Sequence, residues 1–348
     1  MSDIKILNQI ISKSSKPFII AEAGINHNGE IDKAFEMIEA AKKADVNAIK
    51  FQTFKAEEFV GDSSQTYTYL SQGKEVTESM LEMFKRHEFS RDEWFLIKKK
   101  CDEEGILFLS TPQNYSDLEL LLEMGIPAIK VGSDDFTNLS LLKNYSKTGL
   151  PMLVSCGMAD LGEVYQALEA IGTFDGHPTV LFLCTSQYPT PPEDVNLNKL
   201  KTLSRAFPDL ILGFSDHTQG FLAASVAVGL GATVFEKHFT LDNNLPGPDH
   251  WFSANPSQLQ EWINSIKTTY NMLGSHIIRP TNTELINKKE FQRVIVAAKD
   301  IQQGDIFTED SFMMRRVSLG NGYPYKYIEF LTGKFAKRDF IKGEPIFL

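Results

Sequence analysis

Two short polar stretches carry chemistry that a stability-only sequence would not place together: Ser215-Asp216-His217 and Glu236-Lys237-His238. Each ends an apolar, strand-like run, Leu210–His217 and Thr233–Phe239. The small apolar stretch Gly220–Gly231 between them predicts a helix. A strand-helix-strand unit lays its strands parallel and side by side, so both clusters leave at one C-terminal edge. Side chains alternate along a strand, so Ser215 shares a face with His217, and Glu236 with His238. One histidine at a strand end is equally well explained by a hydrogen bond. Two on neighbouring strands point to a divalent metal with few protein ligands, and hence to a site with open, catalytic positions. The composition selects no single metal; Mn²⁺ or Mg²⁺ would combine imidazole with water.

The elements that must position these groups repeat along the chain. Eight short runs rich in β-branched and aromatic residues read as strands: Phe18–Ile25, Ala48–Phe54, Leu107–Pro112, Ala128–Ser133, Pro151–Gly157, Thr179–Ser186, Leu210–His217 and Thr233–Phe239. Each is followed by a helical pattern, such as Asp32–Ala44, or Arg91–Glu104 behind a Ser90 N-cap. Strict alternation, eight times over, predicts a closed (β/α)8 barrel of the TIM type rather than an open doubly wound sheet. The second interval is long, with an aromatic and polar excursion over Lys55–His87. Residues 275–290 are polar, contain Pro280 and read as a linker between a barrel at 1–274 and a small β-rich domain at 291–348. In that domain AKDIQQGDIF and AKRDFIKGEPIF suggest an internal duplication.

In such a barrel the C-terminal strand ends form the site. They supply Glu22; Lys50 and Gln52; Thr111; Lys130, Ser133 and Asp135; Ser155; Ser186 and Tyr188; Ser215, Asp216 and His217; and Glu236 and His238, with Asp249 in a following loop. Lys50 and Lys130 interrupt apolar runs, and a buried lysine needs an anion beside it. With the hydroxyls around them they suit a phosphate and a carboxylate. Glu22, Asp135 and Asp249 are candidates to hold sugar hydroxyls or to act as acid and base. His27, in the turn after the first strand, is a weaker ligand candidate.

The chain has 348 residues, 42% hydrophobic, with a net charge of -10 and no acidic block. This balance argues against nucleic acid or an anionic membrane as partner. No apolar stretch is long enough for a bilayer span, and the N-terminus lacks a signal-type apolar core. Cys101, Cys156 and Cys184 are few, scattered and set in apolar surroundings, which predicts reduced core thiols and a cytoplasmic location.

The segments FIIAEAGINHNG, IKFQTF, FLSTP, IKVGS, LVSCGM, YPTPPEDVNL, GFSDHT and EKHFTLD…GPDH occur in order at the strand ends. Together they resemble the sialic acid synthases, which condense phosphoenolpyruvate with an N-acetylated aldose. Residues 291–348 resemble the antifreeze-like (SAF, β-clip) domain of that family. The resemblance implies a domain-swapped homodimer and a metal, usually Mn²⁺, on His217 and His238. It implies a phosphoenolpyruvate site of Lys50, Thr111, Lys130, Ser133, Ser155, Ser186, Tyr188 and Ser215. It implies a sugar site of Glu22, Gln52, Asp135, Tyr188 and Asp249, with Arg316 of a partner subunit (Arg315 as the alternative) at the N-acetyl group. N-acetylmannosamine, giving N-acetylneuraminate, is the expected acceptor. Two departures open a second acceptor: Asp134-Asp135 stands where the family commonly has Gly-Glu, and Ser186 where many members have Asn. That acceptor is 2,4-diacetamido-2,4,6-trideoxymannose, the substrate of a legionaminic acid synthase. Two rivals remain: a Schiff-base sugar-acid aldolase using Lys50, Lys130 or Lys237, and a non-catalytic carbohydrate- or ice-binding module.

Overall fold

Runs such as Phe18–Gly24 and Thr179–Cys184 are buried along their whole length, as parallel strands covered on both faces must be. The computed structural model describes residues 3–317 and 322–347. An N-terminal hairpin, β1 (Ile4–Ile6) and β2 (Gln9–Ile11), precedes β3 (Phe18–Gly24) and β4 (Ala48–Thr53). A second hairpin follows, β5 (Thr66–Ser71) and β6 (Lys74–Ser79). Then come β7 (Leu107–Pro112), β8 (Ile129–Val131), β9 (Met152–Ser155), β10 (Thr179–Cys184), β11 (Ile211–Asp216) and β12 (Val234–His238). The C-terminal region adds β13 (Val294–Ala297) and β14 (Phe312–Arg315).

The eight strands expected of the barrel are present, in one parallel sheet ordered β7-β4-β3-β12-β11-β10-β9-β8. β7 lies against β8 where the ring closes. Register sets the site. Ser215 is level with Glu236, His238 with Glu22, Glu22 with Lys50, and Gln52 with Thr111. Helices pack outside, from Ile31–Lys43 to Pro256–Leu273. Their ends follow local chemistry. Ser90 and Glu93 cap Arg91–Glu104 reciprocally, and Gly105 ends that helix at φ +65.

Two apolar layers result. Trp94, Trp262, Phe51 and Phe108 pack between strands and helices. Inside the barrel, Phe18, Ile20, Leu109, Leu153 and Phe182 form a second layer, continuous with Ile4, Ile6 and Ile11 of the first hairpin. The hairpin thus floors the barrel. Gly213 faces this layer; a Cβ there would lie 2.7 Å from the Phe182 ring.

The excursion after β4 is itself structured. β5 and β6 pair antiparallel through a Gln72-Gly73 turn, with φ +50 and +75, and a helix follows over Met80–His87. The chain divides into two compact units, Met1–Gly274 and Ser275–Leu348. The stretch expected as a linker holds a helix, Asn282–Phe291, started by a Thr281/Glu284 capping box and burying none of its residues. Polar composition hid the helix; the capping pair forms it. The second unit has its own small core, including Ile295, Ile301, Phe307 and Phe340. The two similar segments pair with each other, Ile301 exchanging backbone hydrogen bonds with Phe340. Among the described residues no helix is long and apolar enough to cross a membrane. The three cysteines are buried and free.

Candidate active site

The strand ends open into a cleft of about 500 Å³. One end is built for an anion. Lys130 is buried on β8; its Nζ donates to Ser155 Oγ (2.7 Å) and to the Val131 carbonyl (3.2 Å), and lies over the Phe182 ring. Burial lowers its pKa, against the pull of Glu236. The Gly157 amide donates to Ser133 Oγ (3.1 Å). A Cβ at Gly157 would lie 2.5 Å from Ser186 Oγ and 2.6 Å from Ser133 Oγ, so only glycine lets both hydroxyls close in. Ser186 Oγ is buried without a partner. An unmatched buried polar group costs about 1–3 kcal/mol, which a ligand oxygen at this point would recover.

At the centre, four charges interlock. Lys50 Nζ lies 2.8 Å from Glu22 Oε2 and 3.8 Å from Glu236 Oε2, and donates to Thr111 Oγ1 (3.1 Å). Lys130 Nζ is 3.8 Å from Glu236 Oε1, which also accepts from Ser215 Oγ (3.0 Å). Glu236 therefore sits between the two lysines. Burial pushes its carboxyl up, but the lysines and Ser215 hold it below the usual range. Glu22 is pushed up to about 7, by burial first and by Glu236 as well, against Lys50. Lys50 is raised despite its burial because both carboxylates face it.

The two imidazoles stand beside this cluster, ring centroids 5.5 Å apart. His217 Nδ1 is 2.7 Å from the Thr185 carbonyl. A carbonyl only accepts, so Nδ1 carries a proton, while Nε2 lies 3.3 Å from Ser215 Oγ. Burial, with His217 adding to it, holds His238 well below the usual histidine range and hence neutral. His238 Nδ1 is buried without a hydrogen bond, 3.8 Å from Asp249 Oδ2. Tyr188 lays its ring 4.2 Å from that of His217. Among the described residues no cluster of three or more His, Cys, Asp or Glu side chains is arranged for a metal ion, so the two imidazoles are the donors on offer.

The other end of the cleft is acidic and polar. Gly24 has φ +53, and a Cβ on it would lie 3.5 Å from Glu22 Oε1, 3.7 Å from Gln52 Nε2 and 3.8 Å from Asp249 Oδ2. These three side chains converge there, Gln52 donating to Glu22 (3.2 Å). Burial pushes Asp249 up to about 6.

Two expectations are corrected, those for Asp135 and Lys237. Asp134 lines the cleft and Asp135 does not. The Asp135 carboxylate instead accepts from Asn138 Nδ2 (3.4 Å), and Asn138 caps the helix Leu139–Ser146, which draws Asp135 outward. Lys237 is no candidate nucleophile. Strand alternation sends it outside the barrel with Asp216 (3.3 Å), where it donates to the Thr218 carbonyl (2.5 Å) while Trp262 Nε1 also donates to Asp216. His27 is buried against Phe89, its Nδ1 accepting from the Gly29 amide (3.0 Å); it shapes the turn. Arg316 belongs to the second unit, with its guanidinium over the Phe291 ring at 5.6 Å.

Sequence reasoning placed Glu236 at a strand end without a role; its position two residues before His238, on the same face, was the available signal. Gln113 and the hairpin residues Tyr67 and Tyr69 also line the cleft and carried no such signal.

The family model described as the NeuB family matches residues 37–278, and that of the SAF domain matches residues 292–348. N,N'-diacetyllegionaminic acid synthase of Campylobacter jejuni is 37% identical, over 95% of this chain and 99% of its own. Human N-acetylneuraminate-9-phosphate synthase is 35% identical, over 91% of this chain and 88% of its own. Among solved structures, the N-acetylneuraminic acid synthetase of Leptospira borgpetersenii superposes with a TM-score of 0.74 at 31% identity, covering 83% of this chain and 97% of that one.

Proposed function

The chain belongs to the NeuB family, with a SAF domain at its C-terminal end, and from that premise we propose that it condenses phosphoenolpyruvate with an N-acetylated aldose and water. The products are phosphate and a nine-carbon acidic sugar. The observation that carries this reading is the two-ended cleft: a lysine–hydroxyl cradle at one end, Glu22, Gln52 and Asp249 at the other, and two imidazoles between.

In this reading Lys130, Ser133, Ser155 and Ser186 hold the phosphate, and Lys50, Thr111 and Ser215 hold the carboxylate, Lys50 and Ser215 exchanging their carboxylate partners for the substrate's. The acceptor's aldehyde carbon lies over C3 of phosphoenolpyruvate, held by Gln52, Asp249 and Tyr188. The C3–aldehyde carbon bond forms, C2 becomes cationic, water adds to C2, and the C2–O bond to phosphate breaks. Glu22, with a carboxyl pushed up to about 7, is able to take the water's proton near neutral pH. Asp249, raised to about 6, is placed to return a proton to the former aldehyde oxygen. A divalent metal, Mn²⁺ or Mg²⁺, held by His217 and His238, would supply Lewis-acid polarisation of that oxygen. The donor set fits: His238 Nδ1 is a buried nitrogen without a partner, and the His217 ring stands 5.5 Å from that of His238. The remaining rate enhancement comes from positioning and fixed charge.

The acceptor is N-acetylmannosamine or 2,4-diacetamido-2,4,6-trideoxymannose; the carboxylate of Asp134 at the cleft wall favours the second. We assign the active assembly to a domain-swapped homodimer in the cytoplasm. There the partner's Arg316, or else the partner's Arg315, meets the acceptor's N-acetyl group.

The test is phosphate release from phosphoenolpyruvate by metal-stripped enzyme, with and without Mn²⁺, across N-acetylmannosamine, its 6-phosphate and the diacetamido sugar. Release should need both the metal and a sugar. Pyruvate formed from a nine-carbon acid, with no phosphate release under any condition, would replace this reading with the aldolase.

A further inference from the structure

Gln113 is the cleft residue that the reaction above leaves unused. It follows the end of β7, and its amide donates to the Thr53 carbonyl (3.0 Å). That bond seats it beside the end of β4, where Gln52 projects into the cleft. Its carboxamide makes no hydrogen bond to the rest of the described protein, and its Oε1 is buried. Across the closure of the barrel, after β8, Asp134 reaches into the same cleft and helps keep Lys50 charged. The wall contributed by the excursion after β4 is apolar: Phe59, Tyr69, Met83 and Phe84 pack with Ile25 in one cluster that lines the cleft. Lys50 and Lys130 are the lysines of the lining, and both already face carboxylates. No arginine lines it among the described residues.

We propose that Gln113 and Asp134 select the acceptor by reading a second acylamino group on it. A carboxamide complements the edge of an amide, its buried Oε1 accepting the acylamino N–H. Asp134 accepts from a neighbouring hydroxyl, and the acyl methyl and a deoxy carbon lie on the apolar wall. A phosphate on the acceptor would meet a carboxylate and a hydrocarbon surface with no free cation, so phosphorylated acceptors are refused. This inference rests on the condensation reaction proposed above and assigns its acceptor class: an unphosphorylated, doubly acylaminated deoxy sugar.

The test compares the wild type with Gln113→Ala on the same three acceptors, with inorganic phosphate binding as a check that the variant keeps its anion site. The wild type should prefer the diacetamido sugar and leave the 6-phosphate unused. Gln113→Ala should raise the KM for the diacetamido sugar roughly ten-fold, as expected for one substrate hydrogen bond. The KM for phosphoenolpyruvate and for N-acetylmannosamine should stay within about two-fold, which a general structural defect would not allow. An unchanged diacetamido KM in the variant, or a wild-type preference for the 6-phosphate, overturns the assignment while leaving the reaction class standing. Wild-type enzyme that releases phosphate with no acceptor at all refutes the reaction class, and this inference with it.

Discussion

Replacing Lys130 by methionine is the sharpest probe of the anion cradle. The apolar stem stays against Phe182, while the charge and its hydrogen bond to Ser155 are lost. A hydrogen bond from a charged group is worth about 1.5–3 kcal/mol, and about 1.4 kcal/mol is a factor of ten. The KM for phosphoenolpyruvate, and the Kd for inorganic phosphate, should therefore rise roughly 10- to 150-fold. The sugar KM should hardly move, because Gln52, Glu22 and Asp249 converge elsewhere. A second effect runs through Glu236. Without Lys130 it faces Lys50 alone at 3.8 Å, so its carboxyl rises and the fold loses part of a buried ion pair. The double variant Lys130→Met/Glu236→Gln removes that unpaired charge and separates binding from stability. Initial rates of phosphate release at saturating sugar, with calorimetric titration of phosphate, read the effect. A phosphoenolpyruvate KM within about two-fold of wild type in both variants would refute the placement of the phosphate.

Chelation should abolish turnover and Mn²⁺ should restore it, whereas His217→Ala and His238→Ala should not be rescued; an active His238→Ala enzyme would remove the metal assignment. The contribution of His27 to stability should fall on acidification, because burial holds it at about 3, opposite in sign to that of the raised Glu22 and Asp249. The unfolded chain takes up that proton near 6.5, so stability is lost from about pH 6.5 downward, by about 1.4 kcal/mol per pH unit for one such group. His250 (about 4) and His87 shift the same way and add to the slope. Thermal melts from pH 7.5 to 5 should show a shallower slope in His27→Phe than in wild type; an unchanged slope would refute the role given to His27.

The barrel was legible because its code is local. Leu107–Pro112 forms a strand and Arg91–Glu104 a helix over the residues that periodicity and the Ser90 cap assign. Alternation on β11 and β12 likewise put Ser215 on one face with His217, and Glu236 with His238. Three things were not legible. β1 and β2 are three residues each, too short for a period to show. The Gln72-Gly73 turn adopts left-handed φ values without the Asn-Gly or Asp-Gly pair that advertises a hairpin. Which of Asp134 and Asp135 faces the cleft depends on a contact with Asn138, after the strand has ended and alternation has lapsed. The value of Gln113 as a site residue lies in what it fails to bond, which no sequence pattern encodes.

The hairpin that floors the barrel has a kinetic meaning. Ile4, Ile6 and Ile11 seal the end opposite the cleft with buried hydrocarbon, so the barrel is a vessel with one mouth. Lys130 and Ser155 lie deep in it, almost wholly buried, whereas Gln52 and Tyr188 are more open. Whatever settles on Lys130 must enter before the cleft above it is filled and can leave only after that space is cleared. The architecture thus imposes a queue, first in and last out.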